Sequence, residues 1–124
     1  MNSLKLYGEY LNERYKNHFL IEVDGGFATY EIVAHNEGNA LHINDFYASP
    51  QKRGFKNGKS SSRQLFDKLK NIATINNCNA LTCLVWLNSH RGNKVLKLYL
   101  YLGFEAIGGE GHKIRLTYYM DKNE

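Results

Sequence analysis

The chain has 124 residues, 43% of them apolar and 13% aromatic, and its 16 Lys and Arg against 12 Asp and Glu leave a formal charge of +4. That length suits one folding unit, expected over residues 1–124, and the ordinary apolar content argues against disorder. Two cysteines exclude a disulfide scaffold, and with no leader-like start and no apolar run of about 20 residues, a cytoplasmic protein outside the membrane is expected.

Leu4, Tyr7, Leu11 and Tyr15 recur every three or four residues behind a capping Ser3, which predicts an amphipathic helix over residues 3–15. The apolar run 19–23 reads as a strand, Asp24-Gly25-Gly26 as a tight turn, and 27–34 as the hairpin partner. A second polar turn over 35–39 leads to a third strand over 40–47, completing an antiparallel meander. Pro50 ends the pattern, because proline cannot donate to a ladder and pushes Ser49 out of helical geometry. Leu65, Phe66, Leu69, Ile72 and Ala73 then share one face of a helix predicted over 58–76. The nearly continuous apolar run 80–87 reads as a central strand buried on both faces. A third helix, 93–102, carries Val95, Leu96, Leu98, Tyr99 and Leu102 and stops at Gly103. Residues 104–107 resume extended structure and a turn is expected at 108–111. Ile114, Leu116, Tyr118 and Met120 then alternate as a half-exposed closing strand. This order of elements implies an α/β (α+β) architecture, a mixed sheet with helices on its faces.

Cys78 and Cys83 are five positions apart in one predicted strand, so their side chains are expected on opposite faces as reduced core thiols. Neither has a Cys or His two to four residues away, so no metal is expected. Charge is concentrated between residues 51 and 70, where Lys52, Arg53, Lys56, Lys59, Arg63, Lys68 and Lys70 face only Asp67. That stretch is a candidate anion site or a solvated helix face. Nucleic acid is the weakest of its readings, because only Phe55 supplies an aromatic near its start and no nucleic-acid motif is present.

The chemistry gathers at a junction of strand, loop and helix, Tyr47-Ala48-Ser49-Pro50-Gln51-Lys52-Arg53-Gly54-Phe55-Lys56-Asn57-Gly58-Lys59-Ser60. A glycine-containing loop entering a helix offers unpaired N–H groups and the positive end of the helix dipole, both suited to phosphate oxygens. With the buried strand after it and a helix ending Leu98-Tyr99-Leu100-Tyr101-Leu102-Gly103-Phe104, the segment from Phe19 to Met120 resembles the GNAT superfamily of acyl-CoA-dependent N-acetyltransferases.

The resemblance implies a mostly antiparallel mixed sheet with helices on both faces and acetyl-CoA as co-substrate. It places the coenzyme on Tyr47, Ala48, Arg53, Gly54, Phe55, Lys56, Asn57, Gly58 and Lys59. The family's R/Q-x-x-G-x-G/A loop pattern becomes Arg53-x-x-Lys56-x-Gly58, with Lys56 where Gly is usual; read from Gln51 it becomes Gln51-x-x-Gly54-x-Lys56. Tyr99, five residues before Phe104, takes the place of the family's acid to the departing thiolate. The apolar strand lacks the Glu that some relatives use as base, leaving Asp45 and Glu31 as substitutes, with His42 and His90 behind them. The implied reaction is direct attack of an amine on the thioester in a ternary complex. The acceptor, a protein or a small molecule, is unspecified, and its site is expected to be open or completed by a second copy in a homodimer. The alternative is a non-catalytic binding or regulatory protein of the same fold. The many Lys and Asn residues suggest an AT-rich bacterial or phage genome.

Overall fold

The computed structural model describes residues 3–14, 17–35, 38–49, 60–87 and 90–120, excepting the side chains of 90–94. Helix α1 (Ser3–Arg14) leads into the strands β1 (His18–Val23), β2 (Gly26–His35) and β3 (Gly38–Ala48). Helix α2 (Ser61–Ile75), strand β4 (Cys78–Trp86), helix α3 (His90–Leu102) and the strands β5 (Glu105–Glu110) and β6 (Lys113–Tyr119) follow. The six strands form one sheet in the order β1-β2-β3-β4-β6-β5, in which only β3 and β4 run parallel. Parallel neighbours need a crossover, and α2 supplies it. Among the described residues no helix is long and apolar enough to cross a membrane.

Burial sorts the two faces. Ala28, Tyr30, Leu41, Ile43, Leu81, Cys83, Val85 and Leu116 pack against Leu65, Phe66, Leu69 and Ala73 of α2 and Tyr99 and Leu102 of α3. This is the main core, built by the predicted α2 stripe. The other face carries α1, whose Gly8 lies against Leu20 of β1 at a distance where a Cβ would be in ordinary contact, 3.4 Å from Leu20 Cδ2. Helices therefore lie on both faces, as the resemblance implied.

Helix α2 starts where its serines direct it. Ser60 caps it, its Oγ accepting from the Arg63 N–H at 3.1 Å, and the buried Ser61 Oγ donates to the Asp24 carbonyl at 2.5 Å. Helix α3 ends in a Schellman motif: the Gly103 N–H bonds the Leu100 carbonyl at 3.1 Å, and the Phe104 N–H bonds the Tyr99 carbonyl at 3.0 Å. Gly103 has a φ of 109°, and a Cβ there would also stand 3.1 Å from the Tyr118 ring.

Three expectations are corrected. The strand β4 is buried on both faces only as far as Cys83; beyond it Leu84 and Trp86 are 40% and 50% exposed. The final turn is not at 108–111: β5 continues to Glu110, and Gly111, with a φ of 63°, turns the chain together with His112. Cys78 and Cys83 are free, as expected, but both lie in the main core rather than on opposite faces. A register shift where Asn39 and Ala40 meet Cys78 and Ala80 inserts Asn79 as an extra residue, which resets the alternation.

Candidate active site

The parallel pairing of β3 with β4 runs from Asn39 opposite Cys78 to Ile43 opposite Cys83, and continues no further among the described residues. Both strands go on, β3 to Ala48 in register with β2 and β4 to Trp86 in register with β6. The sheet thus divides at its centre. A bulge supplies the bend: Thr29 faces Asp45 and Tyr30 faces Ile43, leaving Asn44 as the extra residue. Such an insertion kinks the strand and increases its twist, here at the residue after the last β3–β4 pair.

Tyr99 lies beneath this division. Its ring packs 5.8 Å from Phe46 on the departing β3 and edge-on to Phe104 at 4.9 Å, and its hydroxyl donates to Cys83 Sγ, at the last paired position of β4. Burial, then the Cys83 charge and hydrogen bond, then the Asp45 carboxylate hold the Tyr99 hydroxyl well above its usual range, so it keeps its proton. Burial pushes the Cys83 thiol up to about 12, against a smaller lowering by the Tyr99 bond. The Leu-Gly-Phe ending of α3 therefore has a positional consequence. The Schellman bonds and the Phe104 ring hold Tyr99 from both its backbone and its side chain.

On the opposite face, Asp45 stands just past the division and accepts from the buried Thr29 hydroxyl at 2.5 Å. Glu31, one strand further out, lies 3.5 Å from His18 Nε2 and accepts from Asn44 Nδ2 at 3.2 Å. His42 Nδ1 meets the Thr82 hydroxyl at 2.8 Å. Burial lowers the His42 pKa, outweighing the raising effect of Glu31, while His18 lowers it further. Asp45 and Tyr99 thus flank one opening from opposite faces, whereas Glu31 is engaged a strand away. The side chain of His90 lies outside the described residues.

The expected coenzyme residues Arg53, Gly54, Phe55, Lys56, Asn57, Gly58 and Lys59 also lie outside the described residues. The two ends of their segment do not. The Ser49 N–H donates to the Gly25 carbonyl at 2.8 Å, and Ser61 Oγ reaches the adjacent Asp24 carbonyl. Gly26 makes this closeness possible, because a Cβ there would stand 2.6 Å from the Tyr47 carbonyl and 3.1 Å from Leu65. Ala48 is buried at the end of β3, and the Tyr47 ring packs 5.9 Å from Phe27 on the face away from α2 and α3. Any contact of Tyr47 on the α2 side is therefore through its backbone.

Sequence reasoning missed the Asn44 bulge, the Cys83 partner of Tyr99 and the surfaces of Leu84 and Trp86. The glycine-free, β-branch-poor stretch 44–46 carries no bulge signal, and an apolar run does not reveal where its neighbour leaves it.

No family model and no curated protein matches the chain. Solved structures do. An acetyltransferase assigned to the GNAT family from Desulfovibrio desulfuricans superposes with a TM-score of 0.69 at 15% identity, over 94% of this chain and 76% of that one. The PaiA N-acetyltransferase of Thermoplasma acidophilum, in complex with coenzyme A, gives 0.69 at 15% identity, over 94% and 69%. Arabidopsis thaliana NAA60, in complex with acetyl-CoA, gives 0.64 at 14% identity, over 94% and 93%. The chain has the GNAT fold.

Proposed function

We propose that this protein is an N-acetyltransferase that carries an acetyl group from acetyl-CoA to an amine. The observation that carries the reading is the division of β3 from β4 over a buried, protonated Tyr99, next to Ser49 and Ser61, which are both tied to the Asp24-Gly25 turn at the two sides of the basic segment. Structural neighbours with coenzyme A or acetyl-CoA bound support the same reading.

The residues present fit the coenzyme. The positive end of α2, with the basic segment 52–59 before it, is suited to the pyrophosphate, and the gap between β3 and β4 exposes strand backbone to the acetyl end. A backbone N–H near Ala48 is the candidate donor to the carbonyl oxygen as charge develops there. The amine lone pair attacks the carbonyl carbon, and the carbon–sulfur bond breaks with its electron pair on sulfur. Asp45, directly or through water, takes the amine proton, and the Tyr99 hydroxyl donates to the departing thiolate. Thr29 orients Asp45 for this task. Glu31, occupied by Asn44 and adjacent to His18, is the second candidate base.

Calorimetric titration of acetyl-CoA and of CoA into the protein tests this, with Gly54→Glu and Lys56→Gly alongside. Micromolar binding that Gly54→Glu abolishes is expected, since a carboxylate there would repel the pyrophosphate. Absence of binding to the unaltered chain would leave a GNAT fold used for binding something else.

A further inference from the structure

Beside the division, on the face of Asp45, lies a surface cleft of about 290 Å³ lined by Leu84, Gly109, Glu110, Lys113 and Arg115. It begins at the first β4 residue past the last β3–β4 pair and extends onto β6, with the half-exposed Trp86 at its edge. Glycine shapes it: a Cβ at 108 would stand 3.2 Å from Arg115 Nη2, and one at 109 would stand 2.7 Å from the Lys113 carbonyl. The hairpin is tied to β4 by the Leu87 N–H, which bonds the His112 carbonyl at 2.6 Å.

The charges in this cleft are unbalanced. Lys113 Nζ lies 4.6 Å from the Trp86 ring centre, and among the described residues neither Lys113 nor Arg115 has an ion-pair partner. Among the described residues Glu110 is the one carboxylate in the lining, against two cations. Leu84 and Trp86 supply an apolar wall for the stem of a side chain, and the two cations suit its charged end.

We infer that the amine acceptor carries a carboxylate, bound by Lys113 and Arg115 while the amine enters between β3 and β4. The inference rests on the acetyltransferase reading and specifies its substrate class. Neighbouring strands lie about 4.8 Å apart, so a group at Arg115 on β6 is about 5–10 Å from an amine at the division. That span matches a peptide amino terminus followed by an acidic residue. It does not match a polyamine, which would place a second cation against the first two.

The test is a titration of the whole ¹⁵N-labelled chain with the C-terminally amidated tripeptides Ala-Glu-Ala, Ala-Gln-Ala and Ala-Lys-Ala, whose one possible carboxylate is the Glu side chain, with and without CoA. The acidic peptide is expected to shift the amide signals of Leu84, Trp86, Gly109 and Lys113. It should bind about tenfold more tightly than the other two, the size expected of two solvent-exposed charge contacts. Substituting Lys113→Gln with Arg115→Gln should erase the preference, and Glu110→Gln should strengthen it. Equal affinities, a preference for the lysine peptide, or no shift at these amides would overturn the inference. Failure of CoA to bind would instead count against the acetyltransferase reading, and the peptide comparison would remain readable.

Discussion

Replacing Tyr99 by Phe separates the hydroxyl from the ring that carries it. The ring is 4% exposed and touches Phe46 and Phe104, all of which Tyr99→Phe retains. What is lost is one donor to a thiol, and a neutral Sγ left without that donor is a weak acceptor that costs little to strand. Destabilisation should stay below about 1 kcal/mol, equivalent to about 3–5 °C in melting temperature for a chain of this size. Tyr99→Ala, which also removes the ring, should cost about 3–5 kcal/mol. Against this small structural effect, loss of the proton donor should lower kcat for acetyl transfer by about 100-fold, with the KM for acetyl-CoA little changed. Thermal melts of both variants and steady-state rates with the best amine from a peptide and small-amine panel provide the assay. An unchanged kcat would refute the role of the hydroxyl. A Tyr99→Phe variant as unstable as Tyr99→Ala would refute the packing argument beneath it.

Two further predictions concern titration. With its thiol pushed up to about 12, Cys83 should hold about a thousandfold less thiolate at pH 8 than an unfolded cysteine, and iodoacetamide should label it only after denaturation; labelling of the native chain at the unfolded rate would contradict this. His42, its pKa lowered chiefly by burial, favours the neutral form in the folded state, so its contribution to stability is present above the unfolded value of about 6.5 and is lost as pH falls from there through its folded pKa. A ring resonance titrating below 6.5, and a smaller loss of urea midpoint between pH 7 and 5 in His42→Asn than in the parent, are expected; titration at or above 6.5 would refute it.

The order and type of the elements were legible in local pattern. Leu65, Phe66, Leu69 and Ala73 mark one helix face, Gly103 stops α3 because it alone tolerates a φ of 109°, and Asp24-Gly25 turns the first hairpin, with Gly25 at a φ of 86°. These signals act within a few residues and need no partner. Tyr99 was identifiable only through its resemblance to a family, and the reason it holds its place, the pairing of Phe104 with it through backbone and ring, appears once the helix end is folded.

What tertiary structure alone decided is where strands stop pairing. Nothing in Asn44-Asp45-Phe46 or in Leu84-Val85-Trp86 announces that β3 and β4 part after Ile43 and Cys83, because separation belongs to two segments about forty residues apart. The same holds for Asp45 and Tyr99, which approach one opening from opposite faces, and for Lys113 and Arg115, whose neighbours Leu84 and Trp86 come from another strand. Local propensity chose the elements of this protein. The long-range register of its sheet, reset at Asn44 and Asn79, determined which side chains meet.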